Sequence, residues 1–257
     1  MRGELRMNSR KNAKAPGLLS LALVVCLLLA ACSGPAKYAG LKEVRDPEAS
    51  KAFRAFLSNK QAALDGEKEY RMEDLVEQEI RENDYLFEDP EAVSGENVTC
   101  TYLVLPGKEK DYLLVDLKVS DVSSGHSLYQ IGYTEHGPVI EQCEKLGWSD
   151  YVTCYSTGVV AISHGQHLPA FTVYADIDRG IRTLWSEGDA GQALLIEAGP
   201  ADWVDGELLE QCRTLAETVI IWEESDDPEE TEAKIEKVLG FSLEDNIREP
   251  EIMSVGK

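Results

Sequence analysis

The chain has no G-x-S-x-G elbow, no G-x-x-x-x-G-K phosphate loop and no C-x-x-C pair. The elbow would present a serine nucleophile at a strained turn, and the phosphate loop would cradle phosphates on backbone N–H groups. A C-x-x-C pair would suggest zinc or disulfide exchange. Each of these classes therefore loses its signature here. Basic side chains are also scarce, 25 against 47 acids in 257 residues, for a net charge of −22. So acidic a surface repels nucleic acid and anionic headgroups. Long apolar runs are missing too. The longest, Leu18 to Ala31, has fourteen residues, short of the roughly 20 needed to cross a bilayer.

That short run has a different use. Arg2, Arg6, Arg10, Lys11 and Lys14 precede it against a single acid, Glu4. A basic head, a short apolar stretch and small residues at its end make a secretory signal peptide. Met7 could equally be the start. The run ends in "LAAC", Leu29 to Cys32, an aliphatic residue, two small ones and a cysteine, and this resembles the bacterial lipobox. The resemblance implies a diacylglyceryl thioether on Cys32, palmitate-type acylation and cleavage before that residue. Cys26 lies inside the run without such neighbours. The expected signal is residues 1–31, and the mature chain of 226 residues keeps 20 basic and 46 acidic side chains, near −26. The expected location is the extracytoplasmic face of the cell membrane, held by lipid.

"SGPAKYAGLKEVR" has no periodicity, and residues 32–45 are read as lipidated cysteine plus tether. Asp46-Pro47 opens a helix that Gly66 should stop, with Phe53, Phe56, Leu57 and Leu64 as its stripe. A second helix is expected over "MEDLVEQEIREN", its face set by Leu75, Val76, Glu79 and Ile80. From Asn97 the period changes to two: "NVTCTYLVL", "DYLLVDLKV", "SLYQIGY", "PVIEQCEKL", "DYVTCYS", "GVVAIS", "PAFTVYAD" and "GIRTLW" read as strands joined by short turns. "QALLIEA" and "TVIIWEE" can add strands around the helix "DGELLEQCRTLAE", and "DPEETEAKIEKVLG" is a last helix. The expected fold is α+β: an antiparallel β-meander sheet or sandwich with N-terminal helices and a helix near the C-terminus. It forms one domain over 46–245, helical over 46–92, mainly β over 97–224 and helical over 227–245, with 246–257 as a frayed tail.

"MEDLVEQEIREN", "LFEDPEAVSGENVTCTYLVL", "DYLLV" and "GPVIEQCEKLGWSDYVTCY" resemble a family of uncharacterised lipobox-bearing lipoproteins from Gram-positive anaerobes. The resemblance covers roughly residues 50–185 and implies a lipobox, an "L-E-D-L"-type helix and a β-rich body with a Trp-Ser motif. Where many of those proteins carry an Asp/Gly-rich turn, this chain has "VLPGKEKDYLLV". No calcium loop carries over, and no catalytic residue does.

Few residues offer chemistry of their own. His164 and His167 in "SHGQHLP" form an H-x-x-H pair without a fixed third ligand, a weak zinc candidate. "DIDRG" starts like a calcium loop but places Gly180 and Ile181 where the loop needs an oxygen ligand and a glycine. It reads better as a turn. Trp148, Tyr151 and Tyr155 in "GWSDYVTCY" are candidates for a stacking platform, with core packing as the alternative use. Cys100, Cys143, Cys154 and Cys212 are an even number in an exported chain, yet most lie on apolar faces and read as reduced packing residues. No cofactor is assigned, and no catalytic residue. The function expected is a binding or interaction module at the cell envelope, toward a glycan, peptide or protein. An envelope hydrolase and a solute-binding lipoprotein are the alternatives.

Overall fold

The computed structural model describes residues 38–83, 85, 95–119, 122–146, 151–164, 171–181, 184 and 191–254. The signal segment, Cys32, Trp148 and His167 lie outside the described residues. Residues from Tyr38 onward form one compact unit, and the fold is α+β.

The unit opens with a 3-10 turn, Ala39–Glu43, whose Leu41 is fully buried. Arg45 then binds Asp111 through its backbone N–H (2.7 Å) and its Nε (2.8 Å). Residues 38–45, expected as tether, are therefore fastened to the body. Helix α1 spans Pro47–Leu57. Asp46 caps it by accepting from the Glu48 N–H at 2.9 Å, and Pro47 fits the first turn because its missing N–H would have had no partner there. Ala49, Ala52, Phe53, Phe56 and Leu57 form its buried face.

The helix ends well before Gly66. Asn59 takes a left-handed conformation, φ 61°, which amide side chains tolerate better than most. A hairpin follows: β1 (Ala63–Asp65) and β2 (Lys68–Tyr70), turning at Gly66 with φ 60°. Gly66 is thus a hairpin glycine, and Leu64 belongs to a strand. Helix α2 covers Met72–Glu82 and starts with the Arg71 N–H donating to Asp74 at 2.7 Å.

Strands β3 (Val98–Pro106), β4 (Asp111–Val119), β5 (Val122–Thr134) and β6 (Gly137–Lys145) form the expected meander. Strands β7 (Tyr151–Tyr155), β8 (Val159–His164) and β9 (Phe171–Asp176) form another. After them come β10 (Ala193–Pro200), α3 (Gly206–Leu215), β11 (Val219–Trp222), α4 (Pro228–Leu239), a short α5 (Leu243–Asn246), β12 (Ile247–Arg248) and β13 (Glu251–Ser254). Helix α4 has Asp227 as its cap and Gly240 as a left-handed stop, φ 81°.

The strands make two sheets, ordered β13-β3-β4-β5-β6-β1-β2 and β11-β10-β9-β8-β7-β12. Cys100, Tyr102, Val104, Leu113, Val115 and Tyr129 face α1 and α2 on the outside of the first sheet. Alternate residues of the same strands, Leu103, Leu105, Leu114 and Leu128, meet Val160, Ile162 and Ala175 of the second. Tyr155, Ala161, Tyr174 and Leu195 turn outward under Ile235 of α4. The layers therefore run helices, sheet, sheet, helix, and β3 and β4 are buried on both faces.

Three features depart from the expected meander. Strand β1 pairs parallel with β6, and β10 parallel with β11 across the α3 crossover. "GIRTLW" starts as no strand: a 3-10 turn, Ile177–Arg179, ends at Gly180 with φ 86° and leads to buried Ile181. The tail is no tail over Glu251–Ser254, which pairs antiparallel with Thr99–Tyr102 as an edge strand. Among the described residues no helix is long and apolar enough to cross a membrane. Cys100, Cys154 and Cys212 are buried free thiols, and burial pushes the first two up to about 12. Cys143 lies exposed on β6.

Candidate functional site

Among the described residues, those singled out in the sequence lie apart. Tyr151 and Tyr155 lie on the same face of β7, but four residues apart, which at a strand's rise is roughly 13 Å. Tyr151 is exposed, whereas Tyr155 is buried and stacks at a tilt on Phe241, centroids 5.5 Å apart. His164 stacks on Phe171 at 4.7 Å, and among the described residues no group of three or more metal-type ligands occurs.

The acids of "DIDRG" serve the framework. Asp176 accepts from the Asp178 N–H at 2.9 Å, and Asp178 from the Lys108 N–H at 2.6 Å. This joins the β3–β4 turn of one sheet to the end of β9 in the other. Gly107 is required at the joint, because a Cβ there would come within 2.4 Å of the Lys110 carbonyl and 2.5 Å of Asp178 Oδ1.

Two buried polar pairs resemble chemistry more closely. His126 Nδ1 lies 3.2 Å from Asp116 Oδ1, and Thr101 Oγ1 donates to Asp116 Oδ2 at 3.5 Å. Desolvation raises the Asp116 carboxyl, with His126 and Lys118 opposing the shift. The imidazole is only 5% exposed, so a substrate does not reach it. It closes the end of the inter-sheet core.

On the far side of the second sheet, Tyr174 donates to Glu197 Oε2 at 3.4 Å, and desolvation raises the Glu197 carboxyl. A carboxyl raised in the fold leaves stability whole below its unfolded pKa and reduces it as pH climbs through the folded one. Glu197→Gln keeps an acceptor for Tyr174 and removes the charge. It is expected to stabilise by about 1 kcal/mol at pH 7.5, raising the melting temperature by roughly 2–4 °C. The gain should close by pH 4. Thermal unfolding at the two pH values checks it, and an equal gain at both would contradict the assignment.

Among the described residues, a cleft of about 310 Å³ lies beneath α2. Its floor is the outer face of the first sheet: Val115 and Leu117 of β4, Gly125 and Ser127 of β5, Gln142 and Lys145 of β6. Register brings them together, because Ser127 opposes Val115 on one side and Lys145 on the other. A bulge between Leu128 and Tyr129 then sets Gln142 opposite Tyr129. Tyr70 closes one end, hydrogen-bonded to the Gln142 Oε1 and to the Tyr129 hydroxyl at 3.3 Å. Burial pushes the Tyr70 phenol up to about 12 and Tyr129 well above its ordinary value, so both remain protonated.

The roof of the cleft explains an oddity of the sequence. Glu79 occupies a position on the inner face of α2 among Met72 and Val76, and it is only 5% exposed. Its carboxylate lies on Gly125, where any Cβ would stand 2.3 Å from Oε1. Lys68 and Arg81 complete the wall with Asp65, Glu69 and Asp74. The cleft therefore holds both signs of charge around neutral amide, hydroxyl and phenol groups. Glu79 was visible in the helical stripe, but nothing local marked Gly125 as its seat. A second recess, of about 320 Å³, has Lys110, Gln130, Cys143, Asp178 and Arg179 in its wall.

Comparison with known proteins found no matching family model, no matching curated protein and no matching solved structure.

Proposed function

We propose that the protein is a lipid-anchored binding module of the cell envelope, acylated at Cys32 and exposed on the extracytoplasmic face of the membrane. The observation that carries this reading is the segment "GLLSLALVVCLLLAACSG" behind five basic residues. Its length suits export but not a permanent span, and it ends on a thiol with two small neighbours. The resemblance to lipobox-bearing lipoproteins of Gram-positive anaerobes belongs to the same reading. Two acyl chains on one residue anchor stably, at about 0.8 kcal/mol per buried CH₂. A body near −26 gains nothing from anionic headgroups.

Binding is favoured over hydrolysis by the character of the cleft beneath α2. It offers charges and hydrogen-bonding groups of both kinds, while the buried imidazole–carboxylate pair, His126 and Asp116, is closed to substrate.

The test is metabolic labelling with a clickable fatty acid, followed by membrane pelleting. The native chain and Cys26→Ala should be labelled and sediment. Cys32→Ala should lose label completely and accumulate as precursor. Label persisting in Cys32→Ala, or a mature N-terminus elsewhere than Cys32, would show the anchor to be misassigned.

A further inference from the structure

Resting on the reading of the body as a binding module, we propose that the open edge of β11 takes an extended, cation-bearing segment of another protein. The segment adds to the second sheet as one more strand. Among the described residues β11 is the outermost strand of that sheet, paired in parallel with β10 from Ile196↔Val219 to Pro200↔Trp222. The Ile196 N–H donates to the Thr218 carbonyl at 3.1 Å. Main-chain groups turn to alternate sides along a strand. Thr218 and Ile220 therefore turn theirs to β10, while Val219 and Ile221 turn theirs outward. Outward N–H and C=O groups are a template for a further strand. Lysine or proline blunts many such edges, and "VIIW" contains neither. Ile221 is exposed, and Val219, Ile220 and Trp222 are half-buried.

Charge selects the occupant. Between Arg213 and Lys234 the chain carries eight acids and no basic residue. Glu217 precedes the strand and Glu223 and Glu224 follow it, all exposed. A second copy paired antiparallel about the middle of β11 would set Glu217 opposite Glu224, and one paired in parallel would set like beside like. Like charges facing across strands destabilise them, and two bodies near −26 repel at longer range. Lysine or arginine at the ends of an incoming strand meets the same acids favourably. Aromatic rings add to this. The Trp203 N–H donates to the Pro200 carbonyl at 2.8 Å, and Pro200 pairs with Trp222. Two indoles thus stand at one end of the edge, that of Trp203 exposed, and indole is the best aromatic partner for a cation.

The experiment is calorimetric titration of the full-length protein in detergent with three peptides. They are Ac-KKVTVTVKK-NH2, the same sequence with glutamate for every lysine, and the lysine peptide with Pro-Pro at its centre. The lysine peptide should saturate a single site, and the glutamate peptide should not bind. The proline peptide keeps the charge but breaks the strand ladder, and should bind at least tenfold more weakly. Ile221→Pro removes an outward N–H and spares the β10 ladder; it should weaken the lysine peptide at least tenfold. Glu223→Lys/Glu224→Lys should reverse the preference in favour of the glutamate peptide, and this variant decides if Ile221→Pro does not fold.

Absence of saturable lysine-peptide binding overturns the proposal, as does equal binding of the proline peptide. Binding that a folded Ile221→Pro retains overturns it as well. Dimerisation in sedimentation that Ile221→Pro abolishes would assign the edge to a second copy, against the proposal. Fatty-acid labelling at Cys32 reports on the anchor alone, so either result can fail without the other.

Discussion

Phe56→Ala is expected to destabilise the protein by about 3–5 kcal/mol, the cost of deleting a fully buried aromatic side chain. Phe56 is 0% exposed and meets the Tyr129 ring at 4.9 Å and a 53° tilt. It is one of the buried residues through which α1 grips the first sheet. Such a tilted pair adds roughly 0.5–1.5 kcal/mol beyond area burial. At roughly 2–4 °C per kcal/mol for a domain of this size, the melting temperature should fall by about 10 °C. Urea unfolding followed by circular dichroism measures the loss, and Phe56→Leu should cost less than half as much. Tyr129 also holds the Tyr70 hydroxyl, so the alanine variant should loosen one wall of the cleft. A loss under 1 kcal/mol would mean that α1 does not seat as described.

Arg45→Met should cost roughly 2–3 kcal/mol, somewhat below the range for breaking a fully buried ion pair because Arg45 is half exposed. The Asp111 side chain is 2% exposed and accepts from Arg45 twice, while Arg45 Nη2 also donates to the Gly107 carbonyl. Removing the guanidinium strands a carboxylate at the start of β4. The double variant Arg45→Met/Asp111→Leu removes both charges and should recover more than half of the loss. Equal stability of the two variants would show that the pair contributes only contact area.

These two sites also show where sequence pattern informs and where it stops. The α1 stripe and the β3–β6 alternation were readable because each element is long enough to display its period. Three-residue strands such as β1 and β2 display none, so Gly66 looked like the end of a helix. The β10–α3–β11 unit was visible as strand, helix and strand, but short turns elsewhere suggested a meander, and only the crossover made that pairing parallel.

Pairing of Glu251–Ser254 with β3 left no mark in a segment containing Glu249, Pro250 and Glu251. The cleft was hidden for a deeper reason. Glu79, Gly125 and Lys145 come from three elements, joined by register between β5 and β6 and by the packing of α2 over that face. Of Trp148, Tyr151 and Tyr155, the two described residues differ in setting, Tyr151 exposed and Tyr155 buried. Closeness in sequence does not tell which ring packs inward, and the buried ring of Tyr155 stacks at a tilt on Phe241.

The two ends of the described body meet at the edge strands β13 and β12. Gly40 lies against Glu251, a Cβ there standing 2.9 Å from its Cγ, and Glu43 is ion-paired with Arg248. Beside them β13 holds β3 by antiparallel pairing, Glu251↔Tyr102 through Ser254↔Thr99. Mechanical load follows from this. A pull between the termini enters at the rim, where Leu41 and Met253 are seated in the core beneath the N-terminal helices. Hydrogen bonds of an edge strand drawn from its end break one after another, as a zip opens, and resist far less than strands sheared along their length. Under tension the protein should therefore shed β13 at low force, while the layered body and the cleft beneath α2 remain intact.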